Sequence, residues 1–233
     1  MTVLLIAHGS PDARHRSGLA GLVAAARTAL APERVEIAYL EHDAPSPEAI
    51  AADLAAGERV TVVPLLLTPA YHARVDIPAA AAALEKAGAE VTVTRALGPD
   101  PALLDAVAEL VGSGPVVLVA GGSSDGNALR GLKAQLAADI RRPDWHGAAL
   151  SDRRALTGLL DQLVARHGTV TLAPFTLAEG VLSDRVREVA AARGLPHIPG
   201  ELARTRAVQD LVVHRVWESR APARRYDPAE EQI

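Results

Sequence analysis

The sequence contains no cysteine among its 233 residues. This absence excludes disulfide bonds, thiolate catalysis, zinc ribbons and cysteine-ligated iron–sulfur clusters. Any metal ion that the chain binds must therefore be held by histidine, aspartate or glutamate side chains.

Aromatic residues are scarce as well, at 3% of the chain with a single phenylalanine. The core must be built from alanine, valine and leucine, and stacking of aromatic side chains on nucleic-acid bases is disfavoured. An excess of basic charge is also missing, since the net charge is −4 and the isoelectric point is near 6.1. Binding to nucleic acid or to a membrane surface needs a basic footprint, so we expect neither partner.

The N-terminus shows no targeting signal. Its apolar run, Val3–Ala7, is too short to span a membrane. No basic segment precedes this run, and no small-residue cleavage site follows it. We therefore expect a cytoplasmic protein that acts on small molecules.

Short apolar runs alternate along the chain with longer alanine-rich stretches that begin at serine or proline. This pattern predicts an α/β fold, in which buried parallel strands are connected by helices. The predicted strands are Val3–Ala7, Val35–Leu40, Val60–Leu66, Val91–Thr94, Val116–Ala120 and Val170–Ala173. The predicted helices are Ser17–Leu30, Pro47–Ala56, Pro78–Ala87 and Pro101–Val111.

The two halves of the chain resemble each other. Residues 3–10 align with residues 116–123, and residues 60–67 align with residues 170–177, at offsets of about 113 and 110 positions. The repeat predicts two similar lobes, each a four-stranded parallel sheet flanked by helices, and two lobes in one chain are compatible with a monomer. The predicted divisions are residues 1–113, residues 114–220 and a flexible tail at residues 221–233.

Polar side chains follow the first three strands. His8 comes directly after the first strand, Glu41 after the second, and His72 six residues beyond the apolar part of the third. If the strand order is 2-1-3-4, these side chains converge at the carboxyl edge of the sheet. Two imidazoles and a carboxylate suit a divalent first-row metal ion, and an imidazole can also accept protons near neutral pH.

The second half of the repeat keeps the strand pattern but lacks these polar groups. The equivalent positions hold Gly121, Ser151 and Leu182. The fold itself therefore does not require the polar groups, which indicates a functional role for them in the first lobe. The identity of the carboxylate stays open, because His42 or Asp43 could be the participant in place of Glu41.

Other residues near the predicted crevice suit an anionic ligand. Ser10 lies near a helix start, where anions bind, and the arginines at 14, 16 and 74 could pair with carboxylates, although a solvated surface charge explains them equally well. No nucleotide-binding glycine motif is in register. The remaining histidines show no ligand spacing and are interpreted as incidental; they are His15, His146, His167, His197 and His214.

Three segments resemble the sirohydrochlorin chelatase family, the class II chelatases of sirohaem and cobalamin synthesis. They are Ile6–Ser10, Leu40–Glu41 and Val63–Pro78, of which the third is the most specific. The resemblance implies two chelatase-like lobes around a cleft and ATP-independent insertion of Fe²⁺ or Co²⁺ into sirohydrochlorin. The metal is then a substrate, and no tightly bound cofactor is expected. One departure is Ala70, where many members have glycine.

The resemblance also implies residue roles. His8 and His72 correspond to paired histidines that hold the metal and accept pyrrole protons, and Glu41 corresponds to the family's carboxylate. The predicted substrate-binding residues are Ser10, Arg14, Tyr71 and Arg74. Two alternatives remain: a chelatase for another tetrapyrrole, such as a nickel chelatase or one for a late haem precursor, and a non-catalytic metal or tetrapyrrole carrier.

Overall fold

Two parallel β-sheets form the framework of the protein in the computed structural model, which describes residues 1–68, 75–121 and 127–220. The strands are β1 (Thr2–Ala7), β2 (Arg34–Tyr39), β3 (Arg59–Pro64), β4 (Glu90–Val93), β5 (Val116–Ala120), β6 (Trp145–Ala149) and β7 (Thr171–Pro174). The helices are α1 (Ala13–Ala29), α2 (Pro47–Ala52), α3 (Asp76–Lys86), α4 (Pro101–Leu110), α5 (Asn127–Ala138), α6 (Arg153–His167), α7 (Val181–Ala191) and α8 (Arg206–Arg220), with a 3₁₀ turn at Leu202–Arg204. The predicted α/β fold is confirmed.

The first sheet has the strand order β2-β1-β3-β4, on which the predicted convergence of polar side chains depends. Its central strand β1 is buried along its whole length, as an apolar strand covered on both faces should be. Ile6 pairs with Ala38 of β2 and with Pro64 of β3. The carboxyl ends of these three strands therefore lie side by side.

The second sheet has the order β6-β5-β7, so the prediction of four strands in this lobe is wrong for the described part of the chain. Where a fourth strand would pair with β7, the chain makes one parallel bridge between Leu172 and His197. Leu172 donates to the carbonyl of Pro196 and accepts from the N–H of Ile198. Pro196 has no N–H to donate to Val170, and Pro174 has none to donate to Ile198, so the ladder cannot extend beyond this bridge in either direction.

Helix α1 begins at Ala13, four residues before its predicted start at Ser17. The cause is Asp12, whose carboxylate accepts a hydrogen bond from the backbone N–H of Arg14 and caps the helix. Helices α2 and α4 begin at their predicted prolines, because the first turn of a helix needs no backbone donor.

Helix α4 follows the first sheet in the chain and packs against the second lobe. Helix α8 follows the second sheet and packs against the first lobe. Asp105 of α4 accepts a hydrogen bond of 2.6 Å from Arg142, which lies between α5 and β6. Leu104 of α4 belongs to one continuous core with Leu118 of β5, and Val212 of α8 belongs to the same core. Helix α8 contacts α1 and β3. This exchange of helices joins the two sheets through a shared core.

The predicted lobe division between residues 113 and 114 falls in the connection between α4 and β5, and the division into two domains stays a prediction. The predicted flexible tail, residues 221–233, lies outside the described residues. Within the described ranges, no helix is both long enough and apolar enough to cross a membrane.

Candidate active site

His8 and Glu41 lie next to each other at the carboxyl edge of the first sheet. The backbone N–H of Leu40 donates to the carbonyl of Ala7 at 3.0 Å, and that of Glu41 donates to the carbonyl of His8 at 2.9 Å. These bonds extend the β1–β2 pairing beyond the two strands. The structure thus brings together two of the three residues for which the sequence predicts a shared site.

Gly9 allows this close approach. Its φ of +91° lies in a region that favours glycine, and a Cβ at this position would overlap the carbonyl oxygen of Glu41. The two loops can therefore meet only because residue 9 has no side chain.

The ring of His8 is half-buried, and its Nδ1 lies 3.2 Å from the carbonyl oxygen of Gly9. In the tautomer that carries the proton on Nδ1, this nitrogen donates to that carbonyl. Nε2 then carries the lone pair, which is the form of imidazole that binds a metal ion or accepts a proton. A backbone acceptor of this kind orients the ring for either task.

Glu41, His42 and Asp43 form the turn that follows β2, and their side chains differ in exposure. Glu41 is 53% exposed and its Oε2 lies 3.5 Å from Nε2 of His42, which is 47% exposed. Asp43 is only 10% exposed. Its Oδ2 accepts a hydrogen bond of 3.2 Å from the N–H of Ser10, and its Oδ1 lies 4.0 Å from Nε of Arg16. Asp43 is engaged in holding the turn before α1, whereas the Glu41 carboxylate faces solvent.

Two of the predicted substrate-binding residues, Ser10 and Arg14, take part in local contacts. The hydroxyl of Ser10 accepts a hydrogen bond of 3.2 Å from the N–H of Asp12. Arg14 forms ion pairs with Asp12 and with Asp184 of α7, and its hydrogen bonds lower the pKa of both carboxyls below the usual range. The guanidinium of Arg14 therefore lies between the two lobes and is paired with two carboxylates, unlike a surface charge that is solvated by water alone.

A cleft of about 240 Å³ runs between the lobes beside His8. Its walls carry repeat-equivalent segments: Leu65 follows β3 and donates its N–H to Ile6, and Phe175 follows β7 and donates its N–H to Val119. The described residues that line the cleft are Ala7, His8, His15, Leu65, Leu66, Leu67, Thr68, Phe175, Thr176 and Leu177. The first lobe thus supplies the ionisable groups, and the second supplies an apolar wall that contains the chain's one phenylalanine.

His15 also lines this cleft, although its sequence spacing indicated no role. Its Nδ1 is buried and has no hydrogen-bond partner among the described residues. Burial lowers the pKa of His15 below the ordinary value of 6.5, and the negative charge of Asp43 opposes that shift. The one sequence signal was its position in the first turn of the helix that directly follows the His8 loop.

Three other predicted site residues, Tyr71, His72 and Arg74, lie outside the described residues. Within residues 1–68, 75–121 and 127–220, no group of three histidine, aspartate or glutamate side chains is arranged to hold a metal ion. A metal site that includes His8 and His72 accordingly remains a prediction.

A larger cavity, of about 700 Å³, lies in the second lobe between α5, β6 and α6. Most of its lining is apolar, and its polar groups include Lys133 and His146, whose pKa is lowered by burial. It lies away from His8 and Glu41. The equivalents of the first lobe's polar positions, Gly121, Ser151 and Leu182, bring no ionisable group to the second lobe. We therefore regard the smaller cleft as the candidate active site.

Comparisons with known proteins agree with this architecture. Residues 2–113 match the CbiX family model, and a search of curated proteins finds no match. The structure is similar to SirB from Bacillus subtilis with Fe³⁺, at 21% identity and a TM-score of 0.73 over 99% of this chain and 97% of that one. It is also similar to the sirohydrochlorin chelatase SirB from Bacillus subtilis subspecies spizizenii in complex with cobalt, at 20% identity and a TM-score of 0.70 over 94% of each chain.

A third similar structure is DR2241 from Deinococcus radiodurans, a multi-domain protein with structural similarity to chelatases. The match has 20% identity and a TM-score of 0.67, and it covers 95% of this chain but 56% of that one. At these identities the three likenesses show a shared fold that extends over both lobes.

Proposed function

We infer that the chain, whose residues 2–113 match the CbiX family model, is a member of the sirohydrochlorin chelatase family and that it inserts Fe²⁺ or Co²⁺ into sirohydrochlorin for sirohaem or cobalamin synthesis. The observation that carries the proposal is the adjacency of His8 and Glu41 beside the cleft, with no equivalent pair in the second lobe. The proposed partners are a tetrapyrrole and a divalent metal ion, and the proposed compartment is the cytoplasm.

In the proposed mechanism, His8 and His72 hold the incoming metal ion. A site with few protein ligands and open positions keeps the ion exchangeable, whereas a closed four-ligand site would trap it. The metal then passes to the four nitrogens of the macrocycle as the two pyrrole N–H protons leave. Imidazole can serve as metal ligand or as proton acceptor near neutral pH.

Glu41 has a supporting part in this proposal. Its carboxylate either orients a histidine or assists removal of a pyrrole proton, and its exposure to the solvent leaves it available for both tasks. Asp43 is less available, because it accepts a hydrogen bond from Ser10.

The choice of Fe²⁺ or Co²⁺ has support from two related structures. SirB from Bacillus subtilis contains Fe³⁺ in one and cobalt in the other. Histidine and glutamate ligands also accept Ni²⁺ and Zn²⁺, so these ions belong in the same assay.

The test is an insertion assay with the full chain, metal-free sirohydrochlorin and each metal ion in turn, without ATP. A chelatase yields many metallated products per chain in an absorbance trace, whereas a carrier stops after one equivalent. His8→Ala should lower the rate at least about 100-fold without changing the melting temperature. The control is His214→Ala, at an exposed position on α8. Near-normal insertion by the His8 variant would overturn the central claim.

A further inference from the structure

An ion pair between Arg14 and Asp184 connects the two lobes beside the cleft. Arg14 Nη1 donates to Asp184 Oδ1 at 3.1 Å and Nη2 donates to Oδ2 at 2.6 Å, although the two residues are 170 positions apart. Arg14 lies in the first turn of α1, and Asp184 lies in the first turn of α7. This two-bond geometry is the one in which arginine recognises a carboxylate most strongly.

The backbones of the two lobes also meet at this point. An added Cβ at Gly18 would lie 2.6 Å from the Cβ of Ala178, and one at Gly180 would lie 3.9 Å from the Cβ of Asp12. The segment before α7 continues directly into the apolar wall of the cleft at Phe175. The α1–α7 contact therefore adds to the shared core in holding the two walls together.

The present spacing of the walls leaves little room. The cleft volume of about 240 Å³ is below the roughly 300–1,000 Å³ of typical ligand pockets. A tetrapyrrole with several carboxylates is a large, flat and anionic ligand. In the proposal that follows, entry of such a ligand widens the cleft, and the Arg14–Asp184 pair opposes that widening.

We propose that Asp184 is a gating residue whose carboxylate occupies Arg14 until a carboxylate of the macrocycle replaces it. This inference rests on the proposed function, and it assigns the second lobe a part in substrate admission. Asp184 does not touch the reacting atoms, so its role is one of positioning.

The surrounding charges make such an exchange feasible. Arg187 donates to Asp184 at 2.6 Å, so Asp184 keeps a cationic partner when Arg14 moves to the substrate. Arg14 likewise keeps its bonds to the helix cap Asp12. The side chains of Arg14 and Asp184 are 43% and 29% exposed, and partly solvated ion pairs contribute little to stability. The pair can therefore open without unfolding the protein.

The first experiment measures binding of metal-free sirohydrochlorin by its absorbance change, together with KM and kcat for insertion. Asp184→Asn should lower Kd and KM about threefold or more with kcat unchanged, because Arg14 is released to the substrate. Arg14→Gln should raise Kd at least tenfold. The matched control is Asp161→Asn, which removes an acidic partner of Arg193 at 2.7 Å on the outer face of the second lobe. Methyl esters of the same macrocycle have no carboxylate for Arg14 to bind, so their Kd should be the same for Arg14→Gln as for the parent chain.

The second experiment fixes the α1–α7 contact with an introduced disulfide bond. The 3.9 Å Cβ separation at positions 12 and 180 fits a disulfide, for which about 3.5–4.5 Å is usual. Because the chain has no cysteine, Asp12→Cys with Gly180→Cys introduces the only pair. Oxidation should weaken macrocycle binding at least tenfold, and reduction should restore it, with the reduced double variant as its own reference.

The outcomes separate the two proposals. If the parent chain binds and inserts but the oxidised variant binds equally well, the gate is wrong and the chelatase proposal stands. The gate is also wrong if Asp184→Asn weakens binding or leaves it unchanged. If the parent chain neither binds the macrocycle nor inserts metal, both proposals fail.

Discussion

The carbonyl oxygen of His8 accepts a hydrogen bond of 2.9 Å from the backbone N–H of Glu41. The two residues are thus held together by their main chains, and their side chains are not needed for the contact. Substitution of one side chain should therefore leave the other in place. This independence allows the role of each side chain to be measured separately.

We expect Glu41→Gln to lower the insertion rate about tenfold or more, because glutamine keeps the size of the side chain but cannot accept a proton. The melting temperature should not change, since the side chain is half exposed. Steady-state insertion rates and thermal unfolding check this prediction. The comparison variant is Asp43→Asn, which retains an acceptor for Ser10. A large rate loss in Asp43→Asn with a normal rate in Glu41→Gln would assign the carboxylate role to Asp43.

Gly9→Ala should destabilise the protein by about 2 kcal/mol or more and reduce insertion, because the new methyl group would overlap the Glu41 carbonyl at a positive φ. The matched control is Gly21→Ala in the middle of α1, where an added Cβ meets nothing within 4 Å. That substitution should be neutral or stabilise by up to about 1 kcal/mol, because alanine favours helix. Urea unfolding of both variants measures the difference, and equal stabilities would contradict the close approach.

His15 should make the protein less stable below about pH 6.5. Burial lowers its folded-state pKa, so the unfolded chain takes up a proton that the folded chain does not, and stability falls as the pH drops through the unfolded value. His15→Gln should therefore flatten the stability profile between about pH 5 and 7. His146, whose pKa burial also lowers, should retain part of the slope. Unfolding free energies at several pH values test this, with exposed His214→Gln as the reference; an unaltered slope in the His15 variant would contradict it.

Arg215→Met should destabilise the protein by about 3–5 kcal/mol. Arg215 is fully buried in α8 and donates to the carbonyl of Ala96 at 3.0 Å and to Asp100 Oδ2 at 2.7 Å, so its removal leaves buried acceptors unpaired. Arg206→Met, at an exposed ion pair with Asp210 on the same helix, should cost less than about 1 kcal/mol. Denaturant unfolding of the two variants gives the comparison, and a small effect at Arg215 would show that α8 does not depend on this anchor.

The α/β fold, the repeat and most element positions could be predicted because apolar periodicity and turn residues are local signals. The start of α1 was missed by four residues, since the capping carboxylate of Asp12 outweighed the weaker signal at Ser17. The fourth strand of the second sheet was predicted from the repeat and is absent from the part of the chain that the structure describes. Pro174 and Pro196, which lack an N–H, limit its pairing to a single bridge, which the repeat alone did not indicate.

The sequence by itself determined that His8 and Glu41 each directly follow an apolar strand and that the second lobe lacks their equivalents, because strand ends and residue identities are properties of the local chain. Only the tertiary structure decided that His15 lines the cleft and that Arg14 pairs with Asp184. It also decided that α4 and α8 each pack against the lobe opposite the sheet that they follow in the chain. These features join surfaces that lie far apart in the chain. They depend on how the two lobes pack together, which hydrophobic periodicity within either lobe does not encode.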